Sequence, residues 1–323
     1  MTAALSPFSA PLWCANAHLQ TLLPTLLKRQ FRQHLHQQTI TTPDGDFLDL
    51  IWTEPPKAHY PKPIVVLFHG LEGSLHSPYA QGMLHAIKKA GWIGCLMHFR
   101  GCSGRPNLTA RSYHSGETQD ARFLLTWLNQ HYPEHPLVAI GYSLGGNMLL
   151  NLVAEPEPTA LKAAVSVSAP LRLELCAKRL QKGFSRVYQH HLLSRMKRNL
   201  ANKIQTGALA EFTLPHPTEI QNFHDFDQAI TAPLHGFASA NDYYQQCSAF
   251  HKLSAIHTPS LLIHAQDDPF MTTAVIPTAD QVSQQVELMI SEKGGHVGFV
   301  HGNIHQPQFW LEQTIPVWLN RFI

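Results

Sequence analysis

The sequence predicts an α/β fold, with a mostly parallel central sheet, helices on both faces and a helical insertion late in the chain. Three observations carry this. Short apolar runs alternate with helical patterns four times between residues 63 and 167. The runs are apolar throughout rather than alternating with polar residues, the mark of strands buried on both faces. The rhythm then stops from Pro170 to His257 and resumes afterwards.

Taken in order, residues 1–37 read as a partly helical leader packed on the core. Leu19, Leu22, Leu23, Leu26 and Leu27 fall at helical spacing, with Pro24 interrupting. A second reading of this stripe is an interfacial membrane contact near Lys28, Arg29 and Arg32. Gln38 to Thr53 holds Pro43-Asp44-Gly45 between β-favouring runs, a hairpin signal. Pro63 to Phe68 is a buried strand ending in His69-Gly70. A helix from Pro78 to Ala90 stops at Gly91. Trp92 to Phe99 is the next strand, followed by a helix from about Gly116 to His131. Leu137 to Ile140 leads into Gly141-Tyr142-Ser143-Leu144-Gly145, then helix to Ala154 and strand Ala163 to Val167. After the insertion come strands at Pro259 to His264 and Val286 to Ile290, and a last helix from Gln306 to Arg321. The expected organisation is therefore a leader (1–37), a core in two pieces (38–169 and 258–323) and a helical cap (170–257).

Composition narrows the function. The chain has 323 residues, 44% of them hydrophobic and 14% charged, enough length and apolar content for a large buried core. Lys and Arg number 24 against 22 Asp and Glu, which gives no electrostatic case for nucleic acid. Five cysteines, an odd number without C-x-x-C spacing, point to reduced thiols and a cytoplasmic setting. No run is apolar enough to span a membrane, and the first twenty residues lack the pattern of a signal peptide. The 22 histidines stand out, and most of them protonating near pH 5 would raise the net charge steeply.

The chemistry centres on Ser143. G-x-S-x-G between a buried strand and a helix puts a serine on a sharp turn, its hydroxyl exposed and its flanks too crowded for side chains. A serine nucleophile needs a base, and the base needs an acid to orient it. In a sheet of this kind the acid and then the histidine follow later strands. Ala265-Gln266-Asp267-Asp268-Pro269 supplies the acid and Gly294-Gly295-His296 the base, 28 residues later, with room for a helix and a strand between. Asp268 is favoured as the acid, three residues beyond the small Ala265 and just before proline. Asp267 is the alternative, otherwise holding the loop through backbone bonds. The oxyanion of acyl transfer needs two donors, assigned to the Leu144 and Leu71 N–H groups.

Seven pieces spread along nearly the whole chain resemble the α/β-hydrolases of the YheT-type esterase family (AB-hydrolase family 4). They are Trp13-x-x-Asn16-x-His18-x-Gln20-Thr21, His69-Gly70-Leu71-Glu72-Gly73, Phe99 to Gly104, Tyr113-His114-Ser115-Gly116, Gly141 to Asn147, Asp267 to Phe270 and Gly294-Gly295-His296. The resemblance implies the α/β-hydrolase fold. It also implies a cofactor-free Ser-Asp-His carboxylesterase acting on short- to medium-chain acyl esters, with no departure at the triad positions. Some relatives act on lipids or transfer acyl groups to alcohols.

The expected partner is thus a small-molecule or lipid ester, and neither metal nor nucleotide is expected, since no H-E-x-x-H, P-loop or G-x-G-x-x-G is present. Acyl transfer, lipid hydrolysis and a non-catalytic binding protein are the competing readings. Arg100 is expected to tie loops together and His114 to be a hydrogen-bonded loop residue, with a place in the acyl pocket as the alternative for His114. His34-x-His36 and His190-His191 lack the carboxylates of a metal site. The basic run Lys178, Arg179, Lys182, Arg186, Arg195, Lys197 and Arg198 reads as a solvated helix face, with contact to phosphate headgroups as the second reading.

Overall fold

The computed structural model describes residues 7–27 and 29–323. Lys28 of the membrane-contact reading, and residues 1–6 of the leader, lie outside the described residues. The leader's helix α1 spans Ala17–Leu26 and is started by Asn16, whose side chain accepts from His18 N and Leu19 N. Pro24 sits inside α1 instead of interrupting it, in the last turn of the helix; its missing N–H costs one ladder bond, to the Gln20 carbonyl, and little helix remains beyond it to be disturbed.

The hairpin β1 (His36–Thr41) and β2 (Phe47–Trp52) pairs antiparallel around the Pro43-Asp44-Gly45 turn. The alternation then runs β3 (Ile64–Phe68), α2 (Pro78–Lys89), β4 (Ile93–Met97), α3 (Gln119–His131), β5 (Leu137–Tyr142), α4 (Leu144–Val153) and β6 (Leu161–Val167). Next come α5 (Leu173–Leu180), α6 (Ser185–Gln205), α7 (Phe223–Phe226), a π-helical turn over Asp227–Thr231, α8 (Ala232–His235) and α9 (Ala240–Cys247). The chain closes with β7 (Ser260–Ala265), β8 (Val286–Ser291), β9 (Val300–Asn303), β10 (Gln306–Phe309) and α10 (Trp310–Leu319).

Eight strands form one sheet in the order β1-β2-β4-β3-β5-β6-β7-β8. β3 to β8 pair in parallel, and β2 meets β4 antiparallel. The expected fold class is therefore the one found. Side chains alternate across the sheet, so each strand feeds two cores. Ile64, Val66 and Phe68 of β3 pack with Leu124, Leu128 and Met148 of α3 and α4. Val65 and Leu67 pack with Met83, Leu84 and Ile315 of α2 and α10. The inserted helices bury a third cluster around Leu180, Tyr188, Leu200 and Tyr243, and Leu71 and Phe270 of the core pack against it.

Two expectations need correction. The last helix begins at Trp310, because Gln306–Phe309 pairs antiparallel with Val300–Asn303; a two-stranded ribbon has no apolar face to signal itself in sequence. No helix separates β7 from β8, only short 3₁₀ turns at Thr273–Val275 and Ala279–Gln281. The five cysteines are unpaired. Among the described residues, no helix is long and apolar enough to cross a membrane. Arg29, from the membrane-contact reading, is engaged with Glu312 at 2.6 Å and lies over the Phe309 ring.

Candidate active site

Ser143 lies between β5 and α4 at φ 51°, ψ −118°, a conformation unfavourable for a residue with a side chain. The surrounding backbone fixes it: Ser143 N donates to Val167 O at 2.8 Å, and Gly146 N and Asn147 N both donate to Ser143 O. Crowding explains the glycines. A Cβ on Gly141 would sit 2.4 Å from Gly145 O, and one on Gly145 would sit 2.5 Å from His69 O. Strand β5 and helix α4 can be joined this tightly only without those side chains.

The structure brings Ser143, His296 and Asp268 together. His296 Nε2 lies 3.1 Å from Ser143 Oγ, and His296 Nδ1 lies 2.8 Å from Asp268 Oδ2. Asp268 is 4% exposed, and its second oxygen accepts from Phe270 N. Asp267 makes no hydrogen bond to the imidazole. Its Oδ1 accepts from Gly295 N at 2.9 Å, and burial pushes its carboxyl above the usual range. The Phe270 ring stacks on His296 at 3.9 Å between centroids and 6° between planes.

The loop after β3 flanks the serine. A Cβ on Gly70 would lie 3.2 Å from Ser143 Cβ. His69 is wholly buried; its Nδ1 pairs with Gly70 O at 2.7 Å and its Nε2 accepts from Phe99 N. Burial drives its pKa down to about 3, so the ring is a neutral brace carrying its proton on Nδ1. Glu72, at φ 54°, anchors the turn by accepting from Tyr113 Oη and Asn199 Nδ2. Leu71 N and Leu144 N have no acceptor among the described residues, and both residues border a cavity of about 540 Å³ between core and inserted helices.

That cavity is not purely apolar. Arg195 and Arg198 of α6 line it without a carboxylate within ion-pair distance among the described residues. Lys203 also lines it, holding Ala110 O, Arg111 O and Ser112 Oγ, and burial lowers its pKa to about 8. His235 falls to about 4 through burial and the nearby Lys203, Arg111 and Arg100.

Arg100 ties loops together. Its buried guanidinium contacts Asp120 at 2.7 Å, Asp44 at 2.8 Å and Asp46 at 3.0 Å. His114 bonds Gly116 N through Nδ1 and faces the ring of His235. Burial also lowers the pKa of His98, His114 and His264, so the net charge climbs less with acid than the histidine count suggests. Sequence reasoning missed Ser168, whose Oγ accepts from Val297 N, and Phe270. It also gave no role to Gln20 and Thr21, which bond Val300 and His296 respectively. Gln20, Thr21 and Phe270 fall within the family-like pieces of sequence, but no local pattern gives their roles, because each acts on a segment more than a hundred residues away or through ring stacking.

A family model described as alpha/beta hydrolase fold matches residues 63–302. Putative esterase YheT of Escherichia coli (strain K12) is 50% identical over 312 residues, 96% of this chain and 92% of that protein. Phospholipase ABHD3 of Homo sapiens is 27% identical over 298 residues, 90% of this chain and 73% of that protein. Monoacylglycerol lipase of Saccharomyces cerevisiae is 28% identical over 74% of this chain and 55% of that protein. Among solved structures, the Pyrococcus furiosus esterase Pf2001 superposes with a TM-score of 0.57 at 16% identity, covering 90% of this chain and 93% of that one.

Proposed function

The chain belongs to the α/β-hydrolase family, and from that premise we propose that it hydrolyses carboxylic esters through an acyl-enzyme on Ser143. The unbroken line Ser143 Oγ–His296–Asp268, at 3.1 and 2.8 Å, carries this reading. In the proposed reaction Ser143 Oγ attacks the ester carbonyl carbon while its proton passes to His296 Nε2. The carbonyl oxygen, now negative, is held by the Leu71 and Leu144 N–H groups. The C–O bond to the alcohol breaks, and the leaving oxygen takes the proton from Nε2. Water then attacks the acyl carbon, His296 accepts its proton, and the acid leaves as Oγ is reprotonated. Asp268 stays charged throughout and favours the imidazolium; the stacked Phe270 ring favours the same cation.

Ser143→Ala is expected to abolish both p-nitrophenyl butyrate hydrolysis and fluorophosphonate labelling, a fall on the order of 10⁶ in kcat. Retention of either signal removes Ser143 from the role, and a wild-type protein inert to both would favour a binding protein. Products formed in the presence of ethanol distinguish hydrolysis from acyl transfer.

A more specific substrate reading is a lipid ester carrying an anionic group. The unpaired Arg195 and Arg198 in the cavity favour it, as do relatives named phospholipase and monoacylglycerol lipase. Both guanidiniums are exposed, so each charge-assisted contact is worth about 0.2–1 kcal/mol. Arg195→Gln with Arg198→Gln is expected to raise KM for a 1-acyl-glycerol 3-phosphate by about 10-fold and leave that for p-nitrophenyl butyrate unchanged. Equal KM changes for both esters would remove the charge preference.

A further inference from the structure

The leader touches the site through a set of bonds that simple packing does not require. Gln20 is completely buried, although nothing about an α-helix places a glutamine in a core. Its Nε2 donates to Val300 O at 2.9 Å and to Cys14 O at 2.8 Å, and its Oε1 accepts from Val300 N at 2.7 Å. One leader side chain therefore satisfies both main-chain groups of Val300, four residues beyond His296. The next residue, Thr21, donates from Oγ1 to Ala17 O and accepts from the main-chain N–H of His296 at 2.9 Å.

The loop is shaped to receive this helix. A Cβ on Gly295 would sit 2.5 Å from Ala17 O, and one on Gly298 would sit 2.2 Å from Gln20 O. Pro24 has no N–H to offer that carbonyl one turn back, which leaves room for Gly298 beside it. Within the loop, Val297 at φ 60° and Phe299 at φ 46° hold left-handed backbone that their side chains disfavour. A loop strained at two positions keeps its shape only where its surroundings over-determine it, and Thr21, Gln20 and Ser168 supply those constraints.

We propose that Gln20 and Thr21 are positioning residues for His296, so that the leader is part of the catalytic apparatus. This rests on the esterase reading above for its kinetic readout, though the geometry can be tested without it. Thr21 fixes the His296 backbone nitrogen, and Gln20 fixes the far end of the loop. Together they set the direction from which Nε2 meets Ser143 Oγ. An error of about 1 Å there is enough to cost on the order of 100-fold in rate.

The test uses the full chain. Thr21→Val keeps the shape of the side chain and removes the acceptor; kcat for p-nitrophenyl butyrate is expected to fall at least 10-fold with KM within about 2-fold, and Thr21→Ser to recover most of it. Gln20→Glu loses both donated bonds and is expected to behave like Thr21→Val. Leu22→Gln, on the exposed side of the same helix, is the control for general loosening and should retain wild-type kcat. Thermal melting establishes that each variant is folded. The second readout is the low-field proton resonance of the His296–Asp268 bond, assigned by its loss in His296→Gln; it should move or vanish in Thr21→Val. A folded Thr21→Val with wild-type kcat and an unmoved resonance overturns the proposal. So does a loss of activity shared equally by Leu22→Gln. Should the wild type prove inert towards esters, the resonance still decides the positioning role, so the failure of one reading is separable from the failure of the other.

Discussion

The serine turn and the histidine loop are both strained, and they are held in opposite ways. Around Ser143 the constraint is local. Strand β5 and helix α4 meet in five residues, and Gly141 and Gly145 let the backbones touch. Around His296 the constraint is remote. The loop is held by Thr21 and Gln20 from the start of the chain, Ser168 from the end of β6 and Asp267 from the end of β7. A nucleophile can be built by one short segment because it must only be presented. A general base must be aimed at one group and oriented by another, so its geometry depends on segments that converge only in the folded protein.

After the loss of Ser143 itself, changes at the acid loop are expected to give the largest effect. Asp268→Asn should lower kcat/KM for p-nitrophenyl butyrate by about 10⁴-fold with the fold intact, through loss of the charge and tautomer that orient the base. Asp267→Asn retains an oxygen for Gly295 N and should stay within about 10-fold. Equal losses would merge two roles that the geometry separates: one carboxylate facing the imidazole and one holding the loop.

Gly145→Ala asks whether the serine turn is as rigid as its contacts indicate. The added methyl would collide with the carbonyl oxygens of His69 and Phe68, at 2.5 and 2.6 Å. Neither is a flexible side chain, so the backbone has to shift. The expected result is destabilisation of about 1–3 kcal/mol, with activity down by about 100-fold, read by chemical denaturation and initial rates. A variant with wild-type stability and rate would show that the turn yields.

The smallest effect on activity is expected away from both segments. Asp227 in the inserted helices has its carboxyl raised to about 6 by desolvation, with Thr231 and Tyr244 bonds opposing the rise. The folded state thus keeps a proton that the unfolded chain releases near pH 4. Between those values the native state binds more protons, so this group's contribution is fully present below about pH 4 and is lost as pH rises towards 6. Asp227→Asn should remove that slope and stabilise the protein by about 3 kcal/mol at pH 8 relative to pH 4. The kcat should stay unchanged. A parallel loss of activity would mean that the serine turn and the histidine loop depend on the inserted helices as well as on the core.

Much of the arrangement is legible in the sequence, for identifiable reasons. Buried parallel strands leave unbroken apolar runs, so β3, β4, β5 and β6 announce themselves. The turn at Ser143 is legible because its geometry demands glycines at fixed spacing. The ribbon β9–β10 is not, because Gln306–Phe309 carries neither an apolar face nor a turn signal that separates it from α10. Arg100 is readable as a structural tie, but not that three aspartates meet it, since Asp44, Asp46 and Asp120 come from two distant segments.

The sequence by itself determined the α/β order, the place of Ser143 on its turn and the two adjacent aspartates, Asp267 and Asp268, between which the proposed acid had to be chosen. It did so because strand burial, turn sterics and chain order are properties of contiguous residues. Only the tertiary structure decided that Asp268 and not Asp267 faces the imidazole, and that buried histidines such as His69 braces instead of titrating near neutrality. The leader too belongs to the tertiary structure's share. A hydrogen bond between Thr21 and His296 spans 275 residues of chain, and a contact made only by folding leaves no local pattern to read.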